Sequence, residues 1–182
     1  RLGYSPKTKL ETNDVIIEYS NSSDRSDFLD FYLGFHCKFL AGGDSGVVQI
    51  PMMNRKKVLH LDNAIVPFLN LVTNSYIPII LPKKFKDLKN NKFLTYSDVV
   101  KKKLLSFEIF PKYLENYIAV DNTEIEIYHA LKEMNDYLDG HLRFDETLQI
   151  KFWKTIHNNR PPNHGCVKIS PNFLLKNIDL LQ

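Results

Sequence analysis

The residues best suited to chemistry are Gly42-Gly43-Asp44-Ser45-Gly46, a glycine-rich run between two apolar segments. After a strand and before a helix, such a run exposes backbone N–H groups where the helix dipole favours negative charge, which suits a phosphate. Gly43 and Gly46 let the backbone approach a diphosphate closely, and Ser45 adds a hydroxyl donor. Asp44 repels a bare phosphate and fits a ribose or sugar hydroxyl, or a helix cap, better. The same residues also make a sound structural turn with an N-cap, and local pattern alone leaves both readings open.

Fewer signals come from the other reactive side chains. Lys83 and Lys84 follow an apolar run and suit phosphate or an anionic acceptor, although lysine runs are usually solvated surface. His60 and Asp62 alternate on an expected strand, which would give them one face and invites a metal or acid–base reading; a single strand histidine is more often packed and hydrogen-bonded. His141, His157, His164 and Cys166 have no ligand spacing, so no metal is assigned, and Cys37 and Cys166 form no disulfide pattern.

The elements that must position the glycine run can be read along the chain. Asp14–Tyr19 is a β-branched run expected to form a buried strand, followed by a helix capped at Ser23 or Asp24. Phe28, Leu29, Phe31, Tyr32 and Phe35 would set that helix against a sheet. Cys37–Ala41 reads as a strand, Val47–Met53 as a short helix and Lys57–Asp62 as the next strand, an order that specifies a parallel sheet. A long loop is expected from Asn63 to Ser75, then a short strand in Ile77–Leu81 and a basic stretch with Lys83, Lys84, Lys86, Lys89 and Lys92. Thr95 to Asp98 starts a helix, Tyr117–Val120 is a strand, and Thr123 to Glu126 has capping-box spacing for a helix through Leu138 that Gly140 ends. Phe144–His157 reads as another helix, stopped before Pro161-Pro162, and Ser170-Pro171 opens a terminal one. The fold class expected is α/β, a Rossmann-like parallel sheet flanked by helices.

With 182 residues, 43% hydrophobic and 25% charged, the chain has the composition of one globular domain, here residues 1–182. A net charge of +3 is too small to imply nucleic acid as a partner by itself. No apolar stretch approaches the roughly 18 residues of a membrane span, and cysteine usage fits a reducing cytoplasm.

Several blocks carry a family resemblance: Arg25-Ser-Asp-Phe-Leu-Asp30, Cys37 through Gly46, Lys57-Val-Leu-His-Leu-Asp-Asn63, Ile80-Leu-Pro-Lys-Lys84 and Phe93-Leu-Thr95. Together with Arg1-Leu-Gly3 and Ile169-Ser-Pro-Asn-Phe-Leu174, they resemble a bacterial family of surface-polysaccharide glycosyltransferases. The Asp-Ser-Gly turn is also similar to that of heptosyltransferases and related GT-B enzymes, in which two Rossmann-like domains face each other. The resemblance implies that this chain is the C-terminal, donor-binding half of a longer protein, which also fits a first residue, Arg1, that is not Met. Its partners would be a nucleoside-diphosphate sugar, a glycan or lipid-linked acceptor and an N-terminal GT-B domain, with no further cofactor and a place at the cytoplasmic side of the inner membrane. Ser45 and Gly46 would meet the diphosphate with Asp44 at the pocket edge, Arg1 would neutralise phosphate, and Asp62 and Asn63 would face the sugar or ribose. No catalytic residue is assigned, and Val47-Val48-Gln49 replaces the histidine usual after such a turn, so the donor does not transfer. A non-catalytic nucleotide- or carbohydrate-binding module and an epimerase-like enzyme remain the alternatives.

Overall fold

The computed structural model describes residues 11–43, 45–64, 76–105, 115–157 and 167–182. Helix α1 (Asp27–His36) leads into strand β1 (Phe39–Gly42), and the glycine run turns the chain into a 3-10 turn at Gly46–Val48 that continues as α2 (Gln49–Met53). Strand β2 (Lys57–Asn63) follows, then β3 (Ile79–Pro82). These three strands and β7 (Lys168–Ile169) form one parallel sheet in the order β1-β2-β3-β7.

The sheet centre is apolar on both faces, as parallel strands covered by helices require. Val58, Leu59, Ile79, Ile80 and Leu81 are fully buried. Helix α4 (Glu124–Leu138) packs on β2 and β3. Helix α5 (Glu146–His157) puts Phe152 and Ile156 into the same core. It also closes the edge strand: the buried Gln149 amide donates to the Ile169 carbonyl at 2.7 Å and accepts from the Ile169 N–H at 2.9 Å. Those bonds satisfy backbone groups that an edge strand would otherwise leave open.

Local signals explain most helix ends. Thr123 and Glu126 form a complete capping box at the start of α4, and Gly140, with φ of 75°, follows its C-cap. Thr95 caps α3 (Tyr96–Lys101), and Ser170 caps α6 (Pro171–Lys176) with proline at its first position.

Three expectations are corrected. Residues 14–19 form no strand: the Asn13 side chain accepts from the N–H groups of Val15 and Ile16, bending the chain there, and Val15 and Ile17 are 89% and 71% exposed. Helix α1 is capped by Ser26, and its aromatic stripe does not lie against the sheet, since Phe28, Phe31 and Tyr32 are exposed. It packs instead through Gly34 on Ile50 and Pro51 of α2. The basic stretch after Pro82 is not merely solvated surface but contains strands. Strands β4 (Lys84–Asp87), β5 (Lys92–Phe93) and β6 (Tyr117–Val120) make a separate antiparallel sheet, so Tyr117–Val120 does not join the parallel one. The long loop after Asn63 falls mostly, and the Pro161-Pro162 stop wholly, outside the described residues.

Candidate functional site

The four described parallel strands end on one edge, and each hands over to polar or glycine residues there: Gly42 at the end of β1 and Gly43 after it, Asp62-Asn63 at the end of β2, Lys83 after β3 and Ser170 after β7. In open parallel sheets this carboxyl edge is where ligands bind. The described strands are added in one direction across the sheet, so the reversal of strand order at which Rossmann folds hold dinucleotides is not among them.

Parallel pairing of Gly42 with His60 sets the glycine turn beside the last residues of β2. A Cβ on Gly43 would reach 3.4 Å from the Leu61 carbonyl oxygen, so the turn lies close on that backbone. Ser45 is extended and exposed, and its side chain makes no capping bond, which keeps the hydroxyl from being consumed by the helix start. A Cβ on Gly46 would meet nothing within 4 Å. The first N–H groups of that helical turn have no partner inside their own helix.

The end of β2 is irregular. Between His60 and Asn63 the register with β3 shifts, and Asp62 takes the left-handed region with φ of 51°. Aspartate tolerates that conformation because its side chain makes compensating hydrogen bonds. Here the Asp62 carboxylate accepts from the Asn122 N–H at 2.9 Å and from Asn122 Nδ2 at 2.8 Å. The shift breaks the regular alternation that was expected to give His60 and Asp62 a common face. Buried His60 meets Asn63 instead, with Nδ1 and the amide Nδ2 3.1 Å apart.

Asn122 is the residue that sequence reasoning missed. It stands just before the capping box of α4, and its side chain ties Asp62 to the Pro82 carbonyl at 3.1 Å. Asn122 and Asn63 are 7% and 3% exposed, and the Oδ1 atoms of both are buried without a hydrogen-bond partner. Buried amide oxygens are normally satisfied, so two of them at one edge are spare acceptors for a donor-bearing group. The only hint in the sequence was an asparagine at a junction between strand and helix.

The two lysines are already engaged. Lys83 ion-pairs with the exposed Asp121, while its own carbonyl accepts from the buried Tyr96 hydroxyl at 2.9 Å. Lys84 pairs with Glu126 at 2.6 Å, both side chains being largely buried. Burial raises the Glu126 pKa, but hydrogen bonds from Lys84 and Thr123 and the Lys84 charge outweigh it and hold the carboxyl below its ordinary value. At the fourth strand end, Glu133 accepts from Ser170 Oγ at 2.6 Å and from the Asn172 N–H at 2.7 Å. Burial nonetheless pushes the Glu133 carboxyl above its ordinary value, with Asp136 adding to the rise.

Arg1, Asp44, His164 and Cys166 lie outside the described residues. Among the described residues no three His, Cys, Asp or Glu side chains gather as a metal would require, and no helix is long and apolar enough to cross a membrane. No family model, curated protein or solved structure matches this chain.

Proposed function

We propose that this domain binds a nucleoside-diphosphate sugar at the carboxyl edge of its parallel sheet and is the donor half of a GT-B glycosyltransferase acting on a surface glycan or its lipid-linked precursor. One observation carries the reading: a glycine-serine turn, whose serine hydroxyl makes no capping bond, lies beside a strand end where Asn63 and Asn122 hold buried, partnerless amide oxygens. A diphosphate needs donors and the hydroxyls of a ribose or sugar need acceptors, so the two halves of the edge suit the two halves of the ligand.

The chemistry follows from where charge grows. As the bond from the sugar to the diphosphate breaks, negative charge builds on the leaving group, and fixed N–H donors lower the barrier because they need no reorganisation. Gly43, Ser45, Gly46 and, on the resemblance, Asp44 form the diphosphate side. Asp62 and Asn63 form the sugar or ribose side, with Asn122 holding Asp62 in place. Lys83 can turn from the exposed Asp121 toward phosphate at little cost, since exposed ion pairs are weak, whereas Lys84 stays with Glu126. Arg1 would add a cation, and the general base would come from the N-terminal GT-B half. The protein would work at the cytoplasmic face of the inner membrane, where lipid-linked acceptors lie.

Isothermal titration with UDP, GDP, ADP and CMP tests this. One nucleotide is expected to bind selectively, and Ser45→Ala to weaken it roughly tenfold, the effect of losing one hydrogen bond to a charged group. Gly46→Val adds a side chain pointing into open space, so the fold should persist while binding is blocked. Nucleotide binding that survives both substitutions would move the site away from this turn.

A further inference from the structure

The basic segment that the donor site leaves largely unused has its own geometry. From Lys83 to Leu105 the chain carries eight lysines and two aspartates, a net of +6 within a protein whose total is +3. The remainder is therefore slightly acidic, and the positive charge is concentrated on the antiparallel sheet and α3.

Among the described residues one face of that sheet is covered, and α4 meets the other at its Lys84 end through Glu126. Phe85 of β4 is 1% exposed and packs with Val99 and Leu104 of the α3 region. Residues next to Phe85 in the strand point the other way. Lys86 is paired across the sheet with Phe93 on one side and Ile118 on the other, so these three stand in a row on the open face. Leu88, whose N–H continues the ladder to the Asn116 carbonyl, falls on the same face two residues on. Phe93 and Leu88 are each 47% exposed and Ile118 is 42% exposed. Exposed Lys89 flanks them in the β4–β5 turn, and Lys84 lies over the Phe93 ring at 5.6 Å, whereas Lys92, paired with Asp87, falls on the Phe85 face. The nearby Asp87 carboxylate is turned into the β4–β5 turn, where it accepts from the N–H groups of Lys89 and Asn90.

We propose that this open face of the β4–β6 sheet is a contact surface for an anionic phospholipid bilayer. The charge is complementary to anionic headgroups, and the apolar side chains choose between polyanions. Leu88 and Ile118 gain nothing against a nucleic acid or a charged polysaccharide, but they gain by entering the boundary between headgroup and acyl chain. The cations are all lysines, which act as point charges on a diffuse anionic surface; paired recognition of discrete phosphates would favour arginine. The proposal names the membrane-facing surface of a donor domain, and it fails separately from the donor reading, because vesicles test one and nucleotides the other.

Flotation of the whole chain with vesicles of phosphatidylcholine, alone or with about one-third phosphatidylglycerol, decides it. Each lysine near an anionic bilayer is worth roughly fivefold in binding, so Lys86→Glu/Lys89→Glu should lose about twenty-five-fold or more. Leu88→Ser/Phe93→Ser should lose several-fold more at high salt than native protein does, with circular dichroism unchanged because both residues are exposed. Phe93→Trp supplies the local readout: its added fluorescence should be quenched by brominated lipid. The proposal is overturned if native protein does not float with anionic vesicles or if the charge variant floats equally well. It is equally overturned if an RNA oligomer binds through these lysines while Leu88→Ser/Phe93→Ser changes nothing.

Discussion

The two sheets are joined through Lys83, yet they build their surfaces in opposite ways. The parallel sheet hides its side chains, and what it offers at the carboxyl edge is backbone, a serine hydroxyl and amide oxygens. The antiparallel sheet hides one face and offers long side chains on the other, lysines interleaved with Leu88, Phe93 and Ile118. A surface made of backbone at fixed strand ends suits a small ligand whose groups must be met one by one. A surface made of mobile charged stems suits a partner that is itself diffuse.

If that contrast is sound, the sheets should answer substitution unequally. The largest effect is expected at Ile80, fully buried in β3, where Ile80→Ala should cost about 2–5 kcal/mol by losing both transfer energy and packing. Lys86→Ala on the open face should change stability by no more than about 0.5 kcal/mol. Urea denaturation of both variants checks this, and equal losses would mean that the open face of the small sheet is covered by something that also stabilises it.

A smaller effect is expected where the glycine turn meets its supporting helices. A Cβ on Gly34 would sit 2.6 Å from Ile50 Cγ2 and 3.2 Å from Ile50 Cβ. The clashing group is a β-branched side chain, stiff at χ1, so the two short helices must separate. Gly34→Ala should therefore destabilise by about 1–3 kcal/mol, although alanine in a helix interior is ordinarily better than glycine by about 1 kcal/mol. Because α2 starts at the glycine turn, the variant should also weaken nucleotide binding. A stabilised Gly34→Ala would show that α1 is not held against α2 in solution.

What the sequence disclosed follows the same division. Strand β1, the turn, α2 and β2 were legible because each rests on residues adjacent in the chain, as do the caps at Thr95, Thr123 and Ser170. The antiparallel sheet was not. Lys84–Asp87 pairs with Tyr117–Val120 across thirty or more residues, and its lysines look like solvated loop until a partner strand gives them a face. Residues 14–19 failed in the opposite sense: the run is apolar enough for a strand, but the side-chain oxygen of Asn13 takes up backbone donors that a neighbouring strand would need. At the site, the glycine turn could be read from local spacing, whereas Asn122 reaches Asp62 from 60 positions away. Only the folded strand ends bring them together.

The smallest effect separates the sheets by pH. Glu126 joins α4 to the antiparallel sheet through Lys84, while Glu133 joins α4 to the start of α6, just after β7 of the parallel sheet. Their carboxyls shift in opposite directions. Glu126 is held below its ordinary value of 4.5, so the stability it contributes is complete above that value and is lost as pH falls through its lower folded pKa. Glu133 is raised, so between its folded pKa and the ordinary 4.5 the native state holds more proton than the unfolded chain, and stability rises as pH falls across that window. Denaturation midpoints collected from about pH 7 down to pH 3 should therefore show a gain before the acid loss. Glu133→Gln should remove the gain and leave the later loss in place, and Lys84→Gln should shift the loss to higher pH by depriving Glu126 of its cation. Carboxyl NMR titration of the native chain assigns each step. A Glu133→Gln curve that still rises before it falls would place the raised group elsewhere and detach α6 from the argument.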